Sequence, residues 1–409
     1  MRRILFLFFT IIVFSVFGYA YKYAPFFVGN INSTLAALGA PYTENPLTLA
    51  DVYSDYHTSS SSEKVHILIV PGHEPTYGGA EIYSLYERNL VVEIAQDLEQ
   101  YLKADGNYQP FTTRDTQSWN PLFADYFKNN WDAIIAWEQA SRQSASGLTP
   151  LGVSMAPRVD HIDIPADVAV RLYGLTKWAN ENDIDIILHL HLNDYPGHSS
   201  RVPGKYSGLV IYTPAEQYGN NATTKAIANA IFKRLALYNP VNDLPVESYG
   251  IIDDQKLIAV GAHNTAHAAS MLIEYDYIYE PQFLNPKVRS LALKDLAYQT
   301  YLGLQDFFTK NDAVTARVSY HPATLYPWTT PVTGKHSTPK DIYALQTALL
   351  MDDDFPPPGK NKNNCPHSGI FGTCTAAALA MFQKKNGISG ENAGGSETFR
   401  LLNKIYSVE

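Results

Sequence analysis

Two histidines and two glutamates stand where apolar runs end or a helix begins: His73, Glu87, His191 and Glu274. Two imidazoles and one carboxylate are a zinc-ligand set that leaves one coordination position for water. A further carboxylate beside such a centre takes the proton of that water. His73 follows Val65-His66-Ile67-Leu68-Ile69-Val70 and the dipeptide Pro71-Gly72. An apolar run of this kind reads as a parallel strand covered on both faces. His191 ends a second run, Ile184 to Leu190, and Glu274 ends a third, Met271-Leu272-Ile273. In open α/β sheets, chemistry gathers beyond the carboxyl ends of such strands. Glu87 shares the inward stripe of Leu90, Val91, Ile94 and Leu98 at the start of an amphipathic helix. A carboxylate aimed at a core is costly unless it is paired or metal-bound. Alone, Glu87 also reads as a helix-start carboxylate at the favourable end of the dipole, and a lone His191 as structural. Three such residues at convergent ends favour a metal centre. Asp276 and Glu280 compete with Glu274 for the base role; the strand delivers Glu274 directly to the sheet edge.

Positioning these groups requires an α/β unit. Predicted strands lie at 65–70, 108–113, 184–190, 207–212 and 270–275, alternating with helices at 85–103, 166–182, 222–238 and 286–309. This alternation implies a mostly parallel, twisted sheet flanked by helices on both faces. One edge strand is free to run antiparallel. Residues 116–164 form an insertion whose helix, Pro121 to Arg142, is rich in Trp and Phe. It serves as surface packing, as a lid, or as a groove wall.

Further landmarks follow in order: Gly78-Gly79-Ala80, Glu87-Arg88-Asn89-Leu90, Thr113-Arg114-Asp115, Ala179-Asn180, His191-Leu192-Asn193, Ser207-Gly208 and Leu272-Ile273-Glu274. With Pro71-Gly72-His73, this series resembles the zinc-dependent N-acetylmuramoyl-L-alanine amidases (amidase type 3 family) from Val65 to Phe308. The resemblance implies one Zn2+ ion held by His73, Glu87 and His191, with Glu274 catalytic. The implied substrate is peptidoglycan, cut between N-acetylmuramic acid and L-alanine. Asn193 and Arg114 are candidates for orienting substrate or ligands. Two departures stand out. Glu74 replaces the family's Gly after the first histidine, and His189 stands where Ser is usual. Strand alternation puts His189 on the face of His191, beneath or lining the site rather than as a fourth ligand. A zinc peptidase acting on stem peptides and an inactive wall-binding protein are the alternatives.

The chain divides at composition shifts. Residues 1–21 pair Arg2-Arg3 with the apolar run Ile4 to Ala20, a cleaved signal peptide or an uncleaved signal anchor. Either places the remainder outside the cytoplasmic membrane. Residues 22–64 read as a tether, 65–310 as the catalytic domain and 311–339 as a proline-bearing linker. Residues 340–409 carry Leu345-Gln346, Gly369-Ile370-Phe371-Gly372 and Phe382-Gln383, and resemble the type 1 peptidoglycan-binding domain. The expectation is a small three-helix bundle with Leu349, Leu379, Phe382 and Leu401 in its core. Cys365 and Cys374, the two cysteines of the chain, are predicted to form a disulfide outside the cytoplasm. A net charge of −9 with no basic block argues against a nucleic-acid partner. The sequence leaves oligomeric state open.

Overall fold

Alternation along two strands sets up the layers. In β1 (Val65–Pro71), Val65, Ile67 and Ile69 face one helical layer, and Leu68 and Val70 the other. β5 (Ile186–Asn193) does the same, with Ile186, Leu188, Leu190 and Leu192 on the first face and Ile187 on the second. Both faces are therefore apolar, as a covered parallel sheet demands. The structure, a computed structural model, describes residues 46–57, 64–146, 164–195, 198–254, 256–261, 263, 265–310, 327–334, 337–389 and 395–406.

A six-stranded sheet runs in the order β4-β1-β5-β8-β6-β7. Here β4 is Tyr108–Thr112, β6 Val210–Pro214, β7 Ile251–Asp254 and β8 Ala269–Tyr277. β4, β1, β5 and β8 are mutually parallel. β6 pairs antiparallel with β8, and β7 parallel with β6. Two strands thus oppose the rest, and β7 had no predicted counterpart. A small antiparallel hairpin, β2 (Glu81–Ile82) with β3 (Leu85–Tyr86), precedes the first long helix.

On the first face lie α1 (Leu49–His57), α2 (Glu87–Asp105), α5 (Asn221–Tyr238) and α7 (Arg289–Thr309). Gly303 of α7 lies against Ile231 of α5 so closely that a Cβ there would collide with its backbone. α3 (Pro121–Ser146) and α4 (Ala166–Glu181) cover the second face through Phe123, Phe127, Ile134, Tyr173 and Trp178. The insertion helix therefore packs onto the sheet; residues 147–163 lie outside the described residues. So do the Ile4–Ala20 run and most of the 22–64 tether, of which α1 is described and buries Val52. No helix among the described residues is long and apolar enough to cross a membrane.

After a short helix α6 (Pro281–Leu284), three helices follow α7 among the described residues: α8 (Pro339–Met351), α9 (Thr373–Lys385) and α10 (Ser396–Tyr406). A capping box starts α8, with Thr338 and Asp341 each binding the other's backbone N–H. Leu349, Leu379 and Phe382 are buried; Leu402 fills the core, with Leu401 half-buried beside it. Cys365 and Cys374 form the disulfide. This unit does not stand apart. Its core includes Tyr238 of α5, Leu237, Tyr298 and Leu302 pack against it, and Trp328 and Val332 of the predicted linker are buried within it.

Candidate metal centre

β1 ends at Pro71, and the chain turns so that His73 adopts φ +69°. Left-handed backbone at a non-glycine residue costs about 1–3 kcal/mol and persists only where the surroundings over-determine it. Arg114, buried just past β4, supplies that constraint. Its guanidinium donates to the carbonyls of Pro71 (3.1 Å), Gly72 and Arg88 (3.0 Å). It thereby ties the His73 turn to the first turn of α2. Gly72 donates to Leu190 O at 2.9 Å, fixing the turn to β5. A side chain at Gly72 would collide with the His191 imidazole, and one at Gly79 would come within 2.8 Å of His73.

Glu87 is the first residue of α2 and is buried. Its Oε2 accepts from Ala80 N (2.9 Å) and its Oε1 from Leu192 N (3.1 Å) and His191 Nδ1 (3.0 Å). His73 Nε2 lies 2.8 Å from Glu87 Oε2. That nitrogen is buried and, among the described residues, makes no hydrogen bond despite the short approach. Burial raises the Glu87 carboxyl, but the charge of His73 and the hydrogen bond from His191 outweigh it and hold the group far below its ordinary range. Burial lowers His191, which its bond to Glu87 opposes. One ligand atom from each of His73, Glu87 and His191 lies within 4.8 Å of the other two. Two imidazoles, one carboxylate and a buried nitrogen aimed at the shared point fit a zinc ion.

Glu274 sits directly across from His191 in the β5–β8 register, on the same sheet face. Its Oε2 is buried and has no hydrogen-bond partner among the described residues. Burial, then the charges of Glu87, Glu247 and Asp194, push its carboxyl well above the usual range; a divalent cation at the centre would act in the opposite direction. Of the rival bases, Asp276 accepts from the N–H groups of Gly208 (2.6 Å) and Tyr277 (2.9 Å). Glu280 lies beyond the strand, in the turn before α6.

His189 is buried two residues before His191 and does not join the convergent group. Burial, then the neighbouring His191, lowers it to about 3, so it is a neutral imidazole. Asn193 donates to Glu247 Oε2 (2.7 Å), which Asn242 also contacts, while Tyr212 donates to Glu247 Oε1 (2.7 Å). Glu247 carried no sequence signal, since Leu244-Pro245-Val246-Glu247 has neither helical nor strand periodicity. Glu74 is buried and receives Arg171 Nε (2.7 Å) and Trp119 Nε1 (3.1 Å). The departure after His73 thus pairs with α4 and with the segment leading into α3.

No protein-family model and no curated protein matches the sequence. Solved structures show a likeness over about three fifths of the chain. The CwlD amidase of Clostridioides difficile, in complex with the GerS lipoprotein, is 13% identical with a TM-score of 0.40, covering 60% of this chain and 100% of that chain. The N-acetylmuramoyl-L-alanine amidase AmiC2 of Nostoc punctiforme gives 13% and 0.36 over 60% and 97%. The N-acetylmuramyl-L-alanine amidase Ami1 of Mycobacterium smegmatis gives 13% and 0.40 over 60% and 97%.

Proposed function

We propose that this protein is a zinc-dependent N-acetylmuramoyl-L-alanine amidase acting on peptidoglycan outside the cytoplasm. The observation that carries the reading is the convergence of His73, Glu87 and His191 beside Glu274, whose buried Oε2 has no hydrogen-bond partner among the described residues. His73, His191 and Glu87 would hold one zinc ion, which when bound supplies Lewis-acid polarisation of the scissile carbonyl and acidifies water. Glu274 takes the proton of the attacking water and returns it to the departing amine of L-alanine. Arg114 holds the His73 turn and the first turn of α2 in register through the carbonyls it binds. The Cys365–Cys374 disulfide supports a non-reducing compartment. The helices α8 to α10 serve as the wall-binding unit.

The test is digestion of purified peptidoglycan with and without a chelator, followed by mass analysis. Free muramoyl lactyl ends that disappear with chelator are expected. New termini within the stem peptide would overturn the bond assignment in favour of a peptidase. Purified protein lacking zinc would leave only wall adhesion.

A further inference from the structure

A cleft of about 600 Å³ opens between the catalytic unit and the C-terminal helices. Its lining includes Tyr206, Glu280, Leu284 and Asn285 on one side and Asn363 and Ile370 on the other. That volume falls within the range of small-ligand sites. It borders the same rim as the metal centre. The loop carrying Tyr206 leaves β5 just past His191, and its Ser200 carbonyl accepts from Tyr83 N (2.8 Å) in the hairpin that precedes Glu87. Glu280 follows the end of β8, the strand that carries Glu274. One loop therefore flanks both places.

The far wall is held before any ligand arrives. Gln346 Oε1 accepts from Ser368 N (3.0 Å) and Gly369 N (2.8 Å), and the Cys365–Cys374 bond closes the loop. Asn363 Nδ2 reaches Ser207 O at 3.5 Å, and Lys362 Nζ donates to Ala236 O. Ile370 nevertheless remains 55% exposed, an apolar side chain presented to the cleft.

The lining chemistry selects among ligands. Glu280 is 7% exposed, and burial followed by the adjacent Asp276 pushes its carboxyl well above the ordinary range. The lining carries one cation, Lys205, beside hydrogen-bonding groups and a carboxyl whose charged form burial disfavours, a combination that disfavours a cationic amine. Apolar side chains and an aromatic ring beside two carboxamides suit a ring with hydroxyls and an acetamido methyl. We propose that this cleft binds N-acetylhexosamine units of a glycan strand, which then runs from the metal centre onto the C-terminal unit. The identity of that glycan as peptidoglycan rests on the amidase reading; the cleft's preference for N-acetylated sugar does not.

Calorimetric titration of the full chain with chitotetraose, a β-1,4-linked N-acetylglucosamine oligomer, tests it. Saturable binding is expected, weakened about tenfold or more in Ile370→Asp and in Asn363→Ala. Both substitutions lie on the surface loop, and circular dichroism checks their fold. No binding, or binding in both cleft variants as tight as in the unaltered chain, would overturn the proposal. So would saturable binding of an L-alanyl stem tetrapeptide that both cleft variants abolish while chitotetraose gives no signal. An active amidase that ignores chitotetraose sinks the cleft alone; a chitotetraose binder that cuts nothing sinks the amidase reading alone.

Discussion

The metal rim and the junction with the C-terminal helices are assembled by opposite means. At the rim, the main chain does the fixing. Gly72 N binds Leu190 O, Leu192 N binds Glu87, and Arg114 gathers three carbonyls from two segments. At the junction, side chains do it. Tyr238, Leu237, Tyr298 and Leu302 pack with Trp328 and the α8–α10 core, with few polar links such as Lys362 to Ala236 O. Hydrogen bonds to backbone are directional, so the rim has one geometry in which it works. Apolar packing is non-directional, so the junction holds two units together while leaving a cleft between them.

This contrast can be broken at either end. The largest effect is expected at the rim. Glu274→Gln should lower kcat about 10²–10⁴-fold while retaining zinc by elemental analysis, because only the proton acceptor is lost. His73→Ala should lose zinc and turnover together, and near-unaltered activity in either variant would contradict the assigned roles. Arg114→Met removes no ligand but frees the carbonyls of Pro71, Gly72 and Arg88. A loss of zinc affinity of about 10–100-fold is expected, measured by competition with a chromogenic chelator. Unchanged affinity would mean that the ligand turn holds its shape without this buried cation.

At the junction, shared packing predicts that the full chain melts in one calorimetric transition. Two separable transitions would show that the C-terminal helices are an independent module after all. A truncated chain lacking residues 327–409 should unfold at a lower temperature, since Tyr238 and Leu302 lose their cover. The smallest effect belongs to Asp185, at the opposite end of β5 from His191. Burial pushes it up to about 6, against the hydrogen bond it accepts from His66 N. Between about pH 4 and pH 6 the folded protein keeps a proton that the unfolded chain has released. Stability must therefore fall as pH rises through that window. Asp185→Asn keeps an acceptor for His66 N and should flatten the slope, gaining about 1–3 kcal/mol above pH 6 in denaturant melts.

The sequence made the rim legible because its parts are local. Each candidate ligand sits within a residue or two of an apolar run or helix start, so element ends alone located His73, Glu87 and His191. The same logic carried the four parallel strands, α2, α4, α5 and α7 to within a few residues. It failed where periodicity is absent. β7 is four residues long, the β2–β3 hairpin has two-residue arms, and Glu247 sits in a turn. Reversal of β6 was allowed only for an edge strand, yet β6 lies inside the sheet with β7 beyond it. Pairing direction depends on connections that composition does not encode. The docking of α8–α10 was invisible for a related reason. Tyr238 and Leu302 look like ordinary members of an amphipathic helix until a partner surface is brought against them. Glu74 is the instructive middle case: its departure from the resembled pattern was plain, but its partners, Arg171 and Trp119, lie far along the chain.

The shared packing of α5 and α7 with α8–α10 also orders events during biosynthesis. Translation delivers α5 and α7 well before α8, so Tyr238 and Leu302 emerge with no mate to shield them. Such transiently bare surface is what holding chaperones recognise and what drives clumping when they are scarce. Folding of this chain during synthesis should therefore be most vulnerable in the interval before α10 is released.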